Sequence, residues 1–150
     1  MTRGGRGTTL SPLTFTVPGT PVAQGSMRHV GGGHVLHSND SQLRAWRRAV
    51  AFFAARAARL QDWPAPYDGP VTVAVTFHMP RPKHPTFPVP ATGKDLDKLV
   101  RAVGDSLSPK VGGKTLTNDS RIVRWDAGKV YADQRGPHAT ITITPWKDNT

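Results

Sequence analysis

Residues 94–107 read Lys94-Asp95-Leu96-Asp97-Lys98-Leu99-Val100-Arg101-Ala102-Val103-Gly104-Asp105-Ser106-Leu107. Leu96, Leu99, Val100, Val103 and Leu107 recur at the spacing of a helix packed along one side. This predicts a helix from Asp95 or Leu96 to about Leu107, and the flanking segments read as strands. Upstream, Val71, Val73, Val75 and Phe77 alternate with Thr72, Ala74, Thr76 and His78, the period-two pattern of a strand. Downstream, Ile122 to Tyr131 and Thr140 to Thr144 read as two closing strands linked by a polar turn around Asp133 to Pro137.

Working back towards the N-terminus, Pro80 to Pro90 forms a Pro-rich loop, neither helix nor central strand, directly before the acidic helix. Leu43, Trp46, Val50, Phe53, Ala57 and Leu60 mark a longer helix, with Ser38, Asn39, Asp40 and Ser41 offering capping oxygens. Arg44, Arg47, Arg48, Arg56 and Arg59 fall mainly off that stripe, while Trp46 and Phe53 belong to the core. Leu13, Phe15 and Val17 alternate with Thr14 and Thr16 as a first strand, and Pro18, Gly19 and Pro21 end it. Gln24 to His29 reads as a mobile basic loop, Gly31 to Gly33 as a turn, and His34 to Leu36 as a short strand. The expected class is α+β: a small mixed sheet of four to five strands with two main helices. A basic flexible lead-in (1–12) precedes one domain (13–146), and 147–150 form a flexible end.

The chain has 20 Lys and Arg, ten Asp and no Glu, so its net charge is +10. Such a balance favours a polyanionic partner. Eight Arg and one Asp fall within residues 1–60, yet Asp95, Asp97, Asp105 and Asp119 cluster within 25 positions. Solubility does not require short carboxylates to gather there, whereas a divalent ion beside a phosphate does. The absence of Cys excludes disulfides, thiolate metal sites and a Cys nucleophile. The six His form no metal motif and read as surface or loop residues. No apolar run reaches the ~20 residues of a membrane span, and Met1 to Thr9 lacks the apolar stretch of a signal peptide. A soluble cytoplasmic protein is expected, without a membrane partner.

On a helical wheel Asp97, Arg101 and Asp105 share one face, with Asp95 at the N-cap position. The structural reading has Asp95 capping and Asp97 paired with Arg101. The chemical reading adds Asp119, in Thr117-Asn118-Asp119-Ser120 before a strand, as a third carboxylate folding back to the helix start. Converging carboxylates repel one another unless a cation is present.

Residues 94–107, with Asn118-Asp119-Ser120-Arg121-Ile122, resemble the signature of the RusA family of Holliday junction resolvases. Pro18-Gly19-Thr20-Pro21-Val22-Ala23-Gln24-Gly25-Ser26 resembles the Gly-x-Pro loop of its phage-borne members. The strand ending His78-Met79-Pro80 and the closing Gly136 to Ile143 fit as well. The resemblance spans roughly residues 13–145 and rests on the ordered set of motifs. It implies a homodimer that binds four-way junction DNA and makes paired symmetric cuts with Mg²⁺, Mn²⁺ substituting, in the host cytoplasm if phage-encoded.

By position, the resemblance makes Asp95, Asp97 and Asp119 the metal-binding catalytic carboxylates, with Asp105 structural and holding Arg101. Two departures stand out. Arg101 occupies the family's catalytic Lys position, and Lys98 replaces an Asn. Arg keeps the charge but does not readily give up a proton. Expected DNA contacts are Arg28, Arg44, Arg47, Arg48, Arg81, Lys83, Lys94 and Lys98. The alternatives are a non-catalytic junction-binding relative weakened at Arg101, or a related nuclease acting on flaps or forks.

Overall fold

The computed structural model describes residues 10–25, 28–30, 34–36 and 40–147, with the backbone alone for 28–30, 34–36 and 40. The elements are β1 (Leu13–Pro18), β2 (Arg28–Val30), β3 (His34–Leu36), α1 (Asp40–Leu60), β4 (Val71–Met79), α2 (Leu96–Ser106), β5 (Ile122–Tyr131) and β6 (His138–Pro145). Two single-turn 3₁₀ segments, Pro109–Val111 and Asp119–Arg121, lie between α2 and β5. The α+β class is as expected, with a four-stranded mixed sheet ordered β1-β6-β4-β5.

Alternation sets which face is covered. Leu13, Phe15 and Val17 of β1, Val71 to Met79 at odd positions of β4, and Ala139, Ile141 and Ile143 of β6 are buried. Register places Phe15 beside Ile141 and Ile141 beside Val75, so these residues form one apolar face. Leu43, Trp46, Val50 and Ala54 of α1 and Leu99, Ala102 and Val103 of α2 close over it. Threonines occupy the opposite face, with Thr14 beside Thr142 and Thr16 beside Thr140. Trp46 is buried as expected, and Phe53 packs at the edge of the core.

β5 and β6 follow one another in sequence but are not neighbours. β6 runs antiparallel between β1 and β4, while β5 pairs parallel to the other side of β4. A parallel pair needs a crossover, and α2 with its flanking loops provides it. Within that crossover Trp125 of β5 packs against Gly104, where an added Cβ would lie 3.2 Å from the indole. The small residue brings α2 close to the start of β5, and Asp97, Arg101 and Asp105 of α2 line one cleft with Asp119.

Two readings are corrected. Arg28 and His29, expected within a mobile loop, belong to the strand Arg28–Val30, paired antiparallel with His34–Leu36 as a separate two-stranded ribbon. His138, expected on the surface, is 4 % exposed and stacks on His78 with ring centroids 3.9 Å apart. The capping candidates Ser38 and Asn39, the Gly31–Gly33 turn and most of the lead-in and C-terminal end lie outside the described residues. No described helix is long and apolar enough to cross a membrane.

Candidate active site

Asp95 holds the N-cap position of α2 with extended backbone (φ −73°, ψ 136°), and its carbonyl accepts the Leu99 N–H at 3.1 Å. Its carboxylate makes no capping hydrogen bond. It lies 3.5 Å from Lys98 Nζ, on a side chain 62 % exposed. Asp97 follows in the first turn, where the helix dipole favours negative charge. Asp97 and Arg101 stand one turn apart and exposed, and among the described residues neither side chain has a hydrogen-bond or ion-pair partner. The pairing of Asp97 with Arg101 offered by their spacing is therefore not made.

Asp119 reaches the same place from a loop fastened to the other end of β4. The Tyr67 N–H donates to Thr115 O at 2.9 Å and the Thr117 N–H to Tyr67 O at 3.1 Å. Asp68 accepts from the Thr117 hydroxyl and from Arg121 Nη2, the latter at 3.0 Å. Thr117 first and Arg121 second hold the Asp68 carboxyl below its ordinary pKa. Asn118 Oδ1 accepts the Ser120 N–H at 2.8 Å and so starts the 3₁₀ turn that begins with Asp119. Asn118 is used up in local capping, which leaves Asp119 for the cleft.

That cleft is about 300 Å³ in volume, and Asp97, Arg101, Asp105, Lys110 and Asp119 supply its charged wall, with Trp125 also lining it. Asp105 is 8 % exposed. Its Oδ2 accepts from Gln24 Nε2 at 2.9 Å, and Gln24 Oε1 accepts from Arg47 Nη1 at 3.0 Å. Gln24 is fixed in turn by its N–H, which donates to Lys98 O at 3.0 Å. Lys110 Nζ sits 3.5 Å from Asp105 Oδ1 and 3.4 Å from Asp119 Oδ2. These two carboxylates, Asp105 foremost, raise the Lys110 pKa above its ordinary value. Asp105 thus engages Gln24 and Lys110, and the expected contact with Arg101 is absent.

Three of the four expected catalytic residues, Asp97, Arg101 and Asp119, line one cleft, and Asp105 joins them. Asp95 does not line it and faces Lys98 at the helix start. Among the described residues no group of three or more His, Cys, Asp or Glu is close enough together to hold a metal ion. In donor type the residues fit a hard divalent cation, because Asp97, Asp105 and Asp119 offer only carboxylate oxygens. Two of those carboxylates already enclose a positive charge, that of Lys110.

Of the residues expected to meet DNA, Arg44 and Arg48 are exposed on α1, while Arg47 is half-buried against Gln24. Lys83 is exposed on the Pro-rich loop. Arg81 lies over the Tyr131 ring at 5.4 Å. It shares a second cavity of about 340 Å³ with Lys94, Lys129 and Tyr131. Lys98 is engaged with Asp95, and the Arg28 side chain lies outside the described residues. Sequence reasoning missed Lys110, Gln24 and Lys129. Lys129 donates to Lys94 O at 2.7 Å and ties β5 to the entrance of α2. Gln24 and Lys110 lie in no periodic pattern, and the strand pattern of β5 does not reveal the contact of Lys129 with Lys94.

Compared with protein families, residues 18–144 match the family described as endodeoxyribonuclease RusA. Compared with curated proteins, the chain matches none.

Proposed function

Because the chain belongs to the RusA endodeoxyribonuclease family, we propose that it resolves four-way DNA junctions, cutting two strands symmetrically as a homodimer with Mg²⁺, for which Mn²⁺ substitutes. The observation that carries this reading is the cleft itself. Asp97 and Asp119, from different elements, meet beside Arg101 and Lys110 on a chain of net charge +10. Such a wall offers cations to a phosphodiester and carboxylate oxygens to a divalent ion.

Asp97 and Asp119 would hold the ion, with Asp95 joining them once released from Lys98. When bound, the ion supplies a water of lowered pKa and charge stabilisation at the leaving oxygen. Asp105, the most buried carboxylate of this wall, keeps Gln24 and Lys110 in place. Arg101 stabilises the extra negative charge that builds on phosphorus during in-line attack, and its fork suits two phosphate oxygens. Arg44 and Arg48 on α1, with Arg81, Lys83 and Lys94 along the lip, grip the phosphate backbone without reading sequence.

Two alternatives turn on Arg101 and on quaternary geometry. A chain in which Arg101 fails to replace an ammonium binds junctions without cutting them. A differently arranged dimer cuts flaps or forks. The variant Asp97→Asn separates binding from chemistry, because it removes a charge that faces the DNA backbone and a donor to the ion. We expect nicking of a labelled junction to fall by ~10²–10³-fold, the scale of losing an essential charge-stabilising group, with binding in a gel-shift assay kept or improved. Nicking at the wild-type rate would remove Asp97 from the mechanism.

A further inference from the structure

Among the described residues, Lys110 is the one cation in the cleft that already touches carboxylates, and the fold is built to put it there. Pro109 opens the 3₁₀ turn with its φ preset, and Gly112 closes it in the left-handed region at φ 86°. The Gly112 N–H donates to Pro109 O at 3.1 Å, and the Gly113 N–H to Ser108 O at 2.9 Å. Ser108 Oγ in turn donates to Asp105 O at 3.3 Å, so the turn hangs from the same residue whose carboxylate Lys110 meets. The Leu116 N–H donates to Leu107 O at 2.8 Å and closes the excursion.

The electrostatic need is equally specific. Asp105 is nearly buried, and one of its oxygens receives only the neutral amide of Gln24. Its other oxygen faces Lys110 Nζ, which also faces Asp119. A carboxylate taken out of water without a cation is costly. Lys110 itself is 60 % exposed, so its ammonium has room to leave. It is a solvent-reachable charge placed between Asp105 and Asp119.

We propose that Lys110 is a tethered counterion. In the metal-free protein its ammonium fills the cation position between Asp105 and Asp119, and a divalent ion arriving at Asp119 must displace it. This rests on the metal-dependent reading above. On this view Lys110 is a positioning residue. It keeps Asp119 turned into the cleft before the ion arrives and weakens ion affinity by competing for the same oxygen. The step is an exchange of cations, with no bond made or broken within the chain.

The test is a Mn²⁺ titration of the full chain without DNA, followed by calorimetry, on the wild type, Lys110→Met, Lys110→Arg and Lys110→Met combined with Asp119→Asn. An exposed side chain replaced by one of similar length should leave the fold intact. Removing one competing charge ~4 Å from the oxygens should tighten Mn²⁺ on the order of tenfold in Lys110→Met. Lys110→Arg should stay near the wild type, and the gain should vanish in the double variant. In EDTA, Lys110→Met should also melt below the wild type, and saturating Mn²⁺ should remove that deficit. Equal Mn²⁺ affinity in wild type and Lys110→Met, or a gain that survives Asp119→Asn, would overturn the counterion role while leaving the metal reading standing. Absence of Mn²⁺ binding in all four proteins would overturn the metal reading and this role with it.

Discussion

Gly113 decides where the ammonium of Lys110 can be. A Cβ built on it would lie 2.2 Å from Ser106 O and 2.8 Å from Ser108 O, both backbone atoms that cannot swing aside. Gly113→Ala must therefore push the turn away from the C-terminal end of α2. We expect a loss of about 1–3 kcal/mol, the usual scale of overpacking a closed site, read from urea denaturation. An unchanged midpoint would show that the turn has slack and would weaken the case for a built position of Lys110. At this scale the sequence is only partly legible. Asp97 and Asp119 could be picked out because short carboxylates in a basic chain need a reason. Lys110 could not, since its partners lie five and nine residues away along an aperiodic loop. Asp95 was legible as an N-cap position, but the direction of its carboxylate depends on Lys98, whose conformation no spacing rule fixes.

Helices and strands follow from period, and their neighbours do not. The stripes of α1 and α2 and the alternation in β1 and β4 are visible in the chain because each buries a single side. The insertion of β6 between β1 and β4 is not visible, because β5 and β6 alternate in a way equally compatible with a hairpin. β2 is three residues long, too short for any period to appear. The inserted position of β6 also creates the pair His78–His138, which meet because the two residues are in register. The His138 Nδ1–H donates to Gly136 O at 2.7 Å, and His78 Nε2 meets Thr140 Oγ1 at 3.2 Å. Burial first, then the charges of His138 and Arg135, lowers the His78 pKa. A histidine with a depressed folded-state pKa binds its proton first in the unfolded chain. Its contribution is complete above its unfolded value of about 6.5 and declines as pH falls from there to the folded value. The melting temperature should therefore drop as pH falls below about 6.5, and His78→Gln should flatten that drop. The depressed carboxyl groups of Asp68 and Asp133, the latter at about 2, act in a separate window, since their contributions are lost only as pH falls below 3.8. A wild-type melting temperature constant across the higher range would contradict the assignment to His78.

Across the whole molecule, charge and topology converge on one edge. The crossover β4-α2-β5 sets the face of α2 over the start of β5, and the loop fastened by Asp68 delivers Asp119 there. The network from Arg47 through Gln24 to Asp105 then joins the basic helix α1 to that cleft. In a chain with excess positive charge, Asp97, Asp105 and Asp119 share one cleft between α2 and the β5 entrance. The central claim, that this edge cuts junction DNA, is most directly tested by single-turnover incubation with a labelled immobile four-way junction and a matched duplex, in Mg²⁺ and in EDTA. The account predicts paired, symmetric nicks in the junction alone, lost in EDTA. Junction binding without nicks in Mg²⁺ and again in Mn²⁺ would contradict it and identify the chain as a binding relative disabled at Arg101.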